Sequence, residues 1–386
     1  MLDFYSTNSL SWDKLEYGTE AIQNLHYGLI HVGLPTMIDL SKDKLPNITN
    51  GNTPKNYELC QEGDIAFADA SEDTNEVAKA VEFYKLNGKD VICGLHTIHG
   101  RDNQQKTVVG YKGYAFSSTA FHHQIRKIAQ GTKIYSINSK NFSECYISIP
   151  SKEEQTKIAT LLRLVDERIA TQNKIIEDLK KLKCAIIEKV LNDSSYDNLR
   201  LGDVGSYIRG LTYSNNDVVE YTGTLVMRSN NIVNGSLLDY KNNVVSVNKQ
   251  ISQEQQLQNG DIIICMANGS SALVGKTSFY DGKCASPITV GAFCGIYRSK
   301  TAITKWLFQT NRYRRYIWNS LQGGNGAIAN LNSEDILHMS FPIPNKLRAE
   351  RCIKLLSSLE SLIESNISLC SKFSQQKGYL LRQMFI

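Results

Sequence analysis

Hydrophobic and polar residues follow a heptad pattern in two long stretches of the chain, residues 151–192 and 345–386. Apolar residues recur there in alternating steps of four and three, the spacing of a coiled-coil seam. The seam positions are 158, 162, 165, 169, 172, 176, 179, 183, 186 and 190, and then 352, 356, 359, 363, 366, 370, 373, 377, 380 and 384. Each helix would be roughly 63 Å long. We therefore predict that the two helices pack on each other; the alternative is that each packs separately on a globular neighbour.

The two stretches are copies of each other, and they match without a gap. Even the polar interruptions of the seams recur: Gln172 with Asn366 and Lys183 with Lys377. A duplicated chain suggests a pseudo-two-fold axis, which makes the helices antiparallel and brings their midpoints together. Gln172 and Asn366 are therefore predicted to lie within about one helical turn of each other. A polar pair at that place would fix the register of the helices.

Start signals for both helices are present in the sequence. Each stretch follows a proline, and Ser151 with Glu154 predicts a capping box. Asn345 predicts a cap without the acidic partner.

A block rich in Gly, Asn, Ser and Tyr precedes each helix, with short strand-like runs between turn signals. Gly63-Asp64-Ile65 and Gly260-Asp261-Ile262 occupy matching places, so the blocks are predicted to be diverged copies. The predicted fold class is α+β: two duplicated mixed α/β domains separated by two long helices that form an antiparallel coiled coil with pseudo-two-fold symmetry. The predicted segments are 1–146, 147–192, 193–340 and 341–386.

Composition is that of a folded protein, with 41% hydrophobic and 21% charged residues among 386. We find no apolar run long enough to span a bilayer and no secretory signal, so a cytoplasmic protein without a membrane partner is expected. Nine cysteines contain no C-x-x-C pair, which predicts free thiols and no metal site. The net charge of +5 is weak support for a polyanionic partner.

Catalytic motifs fail on spacing, so no catalytic residue is predicted. Gly269 to Lys276 resembles a phosphate-binding loop but has five residues between its glycines instead of four, and Asp281-Gly282 turns the chain soon afterwards. No proline has a neighbouring proline, as a methyltransferase loop would need, and none precedes aspartate, as a nuclease motif would need. His96, His99 and the pair His122-His123 have no acidic partner at a telling spacing, which predicts surface or turn histidines.

With these features, the chain resembles the specificity (S) subunits of type I DNA restriction–modification systems. The resemblance covers the duplicated layout of the whole chain and is most specific in Ile149-Pro150-Ser-Lys-Glu-Glu-Gln155-Thr-Lys-Ile158-Ala159 with Leu161-Leu162 and Asp166. Leu201-Gly202-Asp203-Val204, Gly260-Asp261-Ile262 and a glycine-containing turn before each Pro-led helix are also similar. The second helix departs from the pattern, because Leu347-Arg348-Ala349-Glu350 stands in place of Glu-Glu-Gln.

The resemblance implies a non-catalytic subunit whose two target-recognition domains, 1–146 and 193–340, each read half of a bipartite, asymmetric DNA sequence. The two helices would be conserved spacers that set the gap. It implies double-stranded DNA, two methyltransferase (M) subunits and restriction (R) subunits as partners. S-adenosylmethionine, ATP and Mg would be used by those subunits, with no cofactor in this chain. The alternatives are a coiled-coil scaffold presenting two protein- or glycan-binding heads and an unrecognised hydrolase.

Candidate DNA contacts are loop residues whose side chains suit base edges or phosphates. Arg and Lys favour guanine and Asn favours adenine in the major groove. A helix carrying Arg312, Arg315 and Tyr316 is predicted to present these three on one face, along phosphates. The predicted contacts are Ser71, His96, Thr97, Arg101, Arg228, Asn230, Asn231, Asn268, Ser270, Lys276, Arg312 and Arg315.

Modular readout has two consequences. Exchange of residues 1–146 should change one half of the target, and four residues inserted near position 192 should lengthen the gap between the halves.

Overall fold

The computed structural model describes residues 1–193, 195–220, 222–321 and 329–385. The chain forms two compact units, Met1–Lys174 with Ile367–Ile386 and Ile175–Asn366. The helices of the described residues are α1 Tyr27–His31, α2 Lys112–Phe116, α3 Thr119–Ile128, α4 Lys152–Leu191, α5 Leu201–Val204, α6 Thr304–Leu307, α7 Asn311–Leu321, α8 Ser333–Leu337 and α9 Lys346–Met384. Single 3-10 turns lie at Trp12–Lys14, Asn141–Glu144, Asn215–Asp217, Ser229–Asn231 and Ser271–Leu273.

Short strands form the sheets of both units. Those before α4 are β1 Asp3–Tyr5, β2 Leu15–Glu16, β3 Gln23–Leu25, β4 Met37–Asp39, β5 Asn47–Ile48, β6 Ile65–Ala68, β7 Ala70–Ser71, β8 Ala80–Lys85, β9 Val91–Cys93, β10 Thr97–Arg101 and β11 Tyr135–Ser136. Those after α4 are β12 Asp197–Arg200, β13 Gly205–Arg209, β14 Val218–Val219, β15 Thr224–Met227, β16 Ser236–Leu237, β17 Val245–Val247, β18 Ile262–Cys265, β19 Ala267–Asn268, β20 Thr277–Phe279, β21 Ile288–Val290, β22 Cys294–Ser299, β23 Ala329–Asn330 and β24 Ser340–Ile343.

The first unit contains a five-stranded sheet in the order β1-β10-β6-β8-β4 and a four-stranded sheet in the order β2-β5-β3-β9. Only β4 with β8 and β3 with β9 run parallel among the described pairs of this unit. A two-stranded ribbon joins β7 to β11. The central strand β6, Ile-Ala-Phe-Ala, is buried on both faces, as its continuous small and apolar sequence predicts.

The second unit repeats this topology strand for strand. Its sheets have the orders β13-β22-β18-β20-β16 and β14-β17-β15-β21, with parallel pairing again at β16 with β20 and β15 with β21. The ribbon of β19 with β23 corresponds to that of β7 with β11. The second unit also contains an antiparallel two-stranded sheet of β12 and β24. The prediction of two duplicated mixed α/β domains is therefore confirmed.

The Gly-Asp-Ile motif is a buried structural element in both units. Gly63 and Gly260 both have φ of +89°, a left-handed conformation that favours glycine. Asp64 is 1% exposed and accepts hydrogen bonds from the Arg101 guanidinium, at 2.8 Å from Nη2, and from the Gln61 backbone N–H.

The same bonds recur at the second copy of the motif. Asp261 is 1% exposed and accepts from Arg298 Nη2 at 2.7 Å and from the Gln258 backbone N–H. A buried carboxylate needs such partners because its desolvation is costly. The motif therefore recurs as a buried carboxylate that is paired in the same way in both units.

Helices α4 and α9 pack on each other in antiparallel orientation within each unit. In the first unit, Lys377 lies 2.7 Å from the Asp166 carboxylate, and the Cys370 thiol donates to Asn173 Oδ1 at 3.2 Å. In the second, Lys183 lies 3.6 Å from Glu360. Every predicted seam position is buried or half-buried. The helix-pair prediction is confirmed, and the alternative of two separately packed helices is wrong.

The two seam lysines recur because each has an acidic partner on the facing helix. Lys183 pairs with Glu360, and Lys377 pairs with Asp166, so each unit holds one copy of the same duplicated ion pair. The Tyr114 hydroxyl also donates to Asp166, at 2.9 Å. Burial lowers the pKa of Lys183, although Glu360 favours its charged form.

Gln155, the glutamine of the most specific sequence stretch, attaches the start of α4 to the first unit. Its side chain is 1% exposed. It accepts from the Val108 backbone N–H at 2.9 Å and donates to the carbonyls of Lys106 and Pro150. The equivalent position of α9 is Ala349, which cannot make these bonds. The departure of the second helix from the pattern thus removes one specific anchor.

We expect Gln155→Ala to lower the free energy of unfolding of the first unit by about 2–3 kcal/mol, because it leaves buried backbone groups without partners. The measurement is the calorimetric transition of the full chain. Lys157→Ala is the control, since Lys157 is exposed and forms a surface ion pair with Glu153, and its effect should stay within about 0.5 kcal/mol. An equal effect of both substitutions would contradict this account of Gln155.

The helix caps follow the sequence signals. The Ser151 hydroxyl accepts from the Glu154 backbone N–H at 3.3 Å, and Asn345 Oδ1 accepts from Arg348 at 3.1 Å. Gln172 is 6% exposed in the first unit and Asn366 is half-buried in the second. The pairing of these two amides and the pseudo-two-fold axis remain predictions, as do the four segment boundaries. Among the described residues, no helix combines the length and apolar character needed to cross a membrane.

Candidate nucleic-acid interface

Three chain segments meet at one edge of the first unit: the turn after β3, the link from β6 to β7, and the loop from β9 to β10. The Asp69 backbone N–H donates to the His96 carbonyl at 3.1 Å, and that of Gly94 donates to the Leu25 carbonyl at 2.9 Å. The edge is therefore held by backbone bonds, which leaves its side chains free to vary.

Aromatic and imidazole rings lie along this edge. His96 is exposed, has a left-handed φ of +55°, and its Nδ1 lies 3.2 Å from Asp69 Oδ1. The ring of Tyr27 meets that of His96 edge-on at 5.2 Å. His26 stacks between Tyr27 and Trp12, at 4.7 and 4.5 Å. These groups offer hydrogen bonds and flat apolar faces.

Burial shifts the pKa of two groups at this edge. Burial raises the pKa of Asp69 above the usual range, although His96 beside it favours the carboxylate. Burial also lowers the pKa of His26. The side chains of this edge are polar groups of the kind that form hydrogen bonds with base edges.

The second unit builds the same edge with other side chains. The Met266 backbone N–H donates to the Phe293 carbonyl and that of Gly291 to the Met227 carbonyl, both at 2.8 Å, which repeats the two bonds of the first unit. The turn after β15 is the 3-10 turn Ser229–Asn231. Phe293, the counterpart of His96, is 66% exposed.

Of the four residues predicted in the first unit, two lie on its edge with accessible side chains. His96 is exposed and Ser71 is half-buried in β7. Thr97 is 4% exposed, and its hydroxyl donates to the Gly94 carbonyl. Arg101 is 9% exposed and is held by Asp64 and Glu58. Thr97 and Arg101 therefore serve the fold, and their side chains are not presented to solvent.

In the second unit, Arg228 and Asn230 are exposed on the turn after β15. Asn231 is fully buried: it accepts from the Arg228 backbone N–H and donates to the carbonyls of Asp239 and Asn242. It shapes the turn that carries the other two.

Further predicted residues follow in β19 and the turn after it. Asn268, at the position equivalent to Ser71, accepts from the Ser270 backbone N–H at 3.0 Å, and Ser270 is exposed. Lys276 is half-buried directly before β20. The segment before it is a 3-10 turn leading into a strand, and not into the helix that follows a phosphate-binding loop.

The predicted shared face of Arg312, Arg315 and Tyr316 is wrong. Arg312 Nε and the Tyr316 hydroxyl both donate to the Ser340 carbonyl, at 3.0 Å each, so these two side chains point into the unit. Arg315 is exposed instead with Arg314 and Trp318, because the outward face of α7 is rotated from the predicted one.

Sequence reasoning missed several edge and surface residues. To find them, one must know which face of α7 points outward and which loops meet at the edge, and both depend on tertiary structure. These residues are Tyr27, Phe293, Arg314 and Trp318. Asp69 and Asp64 approach His96 and His99 across strands, which no spacing in the chain revealed. The prediction of a surface or turn histidine is confirmed for His96 and wrong for His99. His99 is fully buried and is not a surface residue.

One fold present twice, with the same backbone edge carrying different side chains, defines a two-part recognition protein. The chain belongs to the type I restriction-modification DNA specificity domain family, which it matches at residues 45–181 and 194–369, more than half of its length.

Curated relatives agree with this assignment. The specificity subunit of the type I restriction enzyme EcoKI of Escherichia coli K12 is 28% identical over 169 residues, which are 41% of this chain and 35% of that protein. That of StySPI from Salmonella potsdam matches with the same identity and coverage. The match thus spans about a third of the length of these relatives.

Solved structures share the fold. The S subunit of a type I restriction-modification system from M. genitalium superposes with a TM-score of 0.56 at 14% identity, over 100% of this chain and 94% of that one. A chain from a structural study of type I system assembly and conformational transition gives 0.52 at 14% identity, over 89% of each chain.

Proposed function

We propose that this chain is the non-catalytic DNA-recognition subunit of a type I restriction–modification complex. Each unit reads one half of a bipartite, asymmetric target, and the paired helices set the gap. Its partners are double-stranded DNA, two methyltransferase subunits and restriction subunits. Those subunits use S-adenosylmethionine, ATP and Mg, and this chain holds none of the three.

The duplicated edge with divergent side chains is the observation that carries this proposal. Its backbone bonds are conserved between the units while the side chains differ: His26 against Arg228, His96 against Phe293, and Ser71 against Asn268. Two copies with unlike donors and acceptors would read unlike base sequences. An asymmetric target is the expected result.

The charge distribution supports a shared DNA interface. Residues 1–150 contain 14 Lys and Arg against 17 Asp and Glu. Because non-specific affinity scales with the number of phosphates neutralised, this part of the chain should bind DNA poorly by itself. The partner subunits would supply most of the phosphate contacts.

Co-expression with its methyltransferase subunit in a methylation-deficient host is expected to methylate one bipartite sequence with a fixed gap, as read by genome-wide methylation mapping. Neither subunit alone should do so. A continuous motif, or equal methylation without this chain, would contradict the proposal.

Within the same assay, His96→Ala should relax base preference in one half of the target and Arg228→Ala in the other. Loss of one base contact costs about 1–2 kcal/mol, so methylation of the original site should fall roughly 5- to 30-fold. Lys89→Ala and Lys283→Ala are the controls: each removes an exposed cation from the turn after β8 or β20. Those turns lie at the strand ends away from the edge, so neither control should change base preference.

A further inference from the structure

Three potential metal ligands converge in the interior of the first unit. Cys60, Cys93 and His99 are 5%, 2% and 0% exposed, and one ligand atom from each lies within 4.8 Å of the others. The two sulfur atoms are 3.6 Å apart. Two thiolates bound to one tetrahedral ion at about 2.3 Å would be about 3.8 Å apart, so the sulfur atoms already have nearly the required separation.

His99 has an unused nitrogen. Its Nε2 lies 2.7 Å from Asp64 Oδ2, whereas its Nδ1 is buried without a hydrogen-bond partner among the described residues. Buried polar atoms rarely lack a partner, so this one needs an explanation. A histidine that binds metal through one nitrogen commonly bonds a carboxylate through the other, and Asp64 is placed to be that carboxylate.

The second unit shows that the fold does not need these three side chains. Their counterparts in that unit are Leu257, Val290 and Ile296, all buried. The backbone equivalence is direct: Cys60 N–H donates to the Val91 carbonyl at 2.8 Å, and Leu257 N–H to the Ile288 carbonyl at 2.9 Å.

Strand register gives the other two equivalences. Cys93 is paired with Leu25 where Val290 is paired with Met227, and His99 is paired with Ala66 where Ile296 is paired with Ile263. The Asp64–Arg101 pair is kept as Asp261–Arg298. The two units therefore differ at these positions by two thiols and an imidazole in place of three aliphatic side chains.

We propose that Cys60, Cys93 and His99 Nδ1 bind a divalent transition-metal ion, with zinc the best match to two sulfur ligands and one nitrogen. A solvent molecule would complete the tetrahedron. Two thiolates neutralise the charge of the ion, which makes its burial acceptable.

Sequence spacing concealed this site, since the ligands are far apart in the chain and the cysteines form no C-x-x-C pair. The ion would connect the chain before β6 to the end of β9 and to β10. It would thereby fix both ends of the loop that carries His96.

The test is the metal content of the full chain, purified under a phosphine reductant from zinc-supplemented medium and measured by mass spectrometry. The wild type should hold about one zinc per chain, and the variant Cys60→Leu/Cys93→Val/His99→Ile, which takes the side chains of the second unit, less than about 0.1. Cys265→Val/Cys294→Val is the matched control, because it removes the buried, cross-strand cysteines of the second unit, and it should keep about one zinc.

Thermal unfolding gives a second readout. Chelation should lower the melting temperature of the wild type and leave that of the triple variant unchanged, because only the former binds the ion. If the triple variant does not fold, Co²⁺ is added to the metal-free wild type. A tetrahedral site with sulfur ligands should give intense visible absorption and thiolate charge-transfer bands. Cys93→Ser should weaken the charge-transfer bands.

Any one of the following outcomes would overturn the proposal. They are a wild type without zinc above background after loading under reducing conditions, a Co²⁺ spectrum without thiolate bands, and zinc retained by a folded triple variant. A Cys60–Cys93 disulfide in the reduced, zinc-loaded chain would count equally against it.

Discussion

Exchange of residues 1–146 for the first recognition domain of another family member should replace one half of the methylated sequence and leave the other half and the gap unchanged. The physical reason is that each loop edge is held by bonds within its own unit, such as Asp69 N–H to the His96 carbonyl. Methylation mapping in the host that carries the methyltransferase subunit is the measurement.

The exchange has to preserve the packing of the domain on the helices. Tyr111 and Tyr114 are fully buried in one cluster with Ile158 and Leu162 of α4 and with Phe385, directly after α9. A donor domain with aromatic residues at these two positions should fit, whereas small residues there would leave a cavity costing about 3–5 kcal/mol each.

Reinsertion of the chain's own residues 1–146 through the same junction is the control, and it should restore the original target in full. A foreign domain that changed both halves together would show that the two units do not read DNA independently.

Lengthening both helices at the boundary between the units should lengthen the gap in the target. Four residues inserted after Lys174 and four after Asn366 add about 6 Å of rise and rotate the helix by about 40°. One base pair adds about 3.4 Å and about 34°. We therefore expect methylation of a sequence whose gap is longer by one or two base pairs, with both half-sites unchanged.

These insertion sites differ from position 192, the site that the sequence alone suggested. Ile187 and Leu191 are 1% and 0% exposed in the core of the second unit. Extra residues there would change how the helix enters that core instead of changing the length of the pair.

Seven-residue insertions at the same two positions are the matched comparison. They add about 10 Å but return the helix face to within about 20° of its starting direction. Three added base pairs would rotate the DNA by about 100°, so methylation should fall steeply at every gap length. An insertion in α4 alone should also fail, because it cannot keep both Asp166–Lys377 and Lys183–Glu360 paired. Unchanged gap preference in the double four-residue variant would refute the spacer role.

Periodicity along the chain was enough to predict the helices and the duplication. The seam positions and the antiparallel pairing follow from the heptad pattern and its repeat. The caps at Ser151 and Asn345 follow from the capping residues after each proline. These are local or symmetric properties, because a residue's place on a helix depends only on its spacing from its neighbours. The sequence also showed that Lys183 and Lys377 interrupt the two apolar seams at equivalent positions, but it did not show that Glu360 and Asp166 pair with them.

Contacts between distant strands were decided by tertiary structure alone. Arg101 appeared suited to DNA, but β10 pairs with β6 and brings its guanidinium to buried Asp64. The same pairing places His99 beside Cys60 and Cys93, which no spacing in the chain revealed. Strand register determines which side chains share an interior, and the sequence of one strand does not specify its neighbour.

The face that α7 presents to solvent was likewise fixed by packing. Arg312, Arg315 and Tyr316 have the spacing of a common face, but the Ser340 carbonyl draws Arg312 and Tyr316 inward and leaves Arg315 outside. Sequence thus determined the two long helices and the duplication of the chain, because those features arise from periodicity and repetition along the chain. The tertiary structure determined which charged and sulfur-bearing side chains are buried together, because that depends on bonds between strands far apart in the chain.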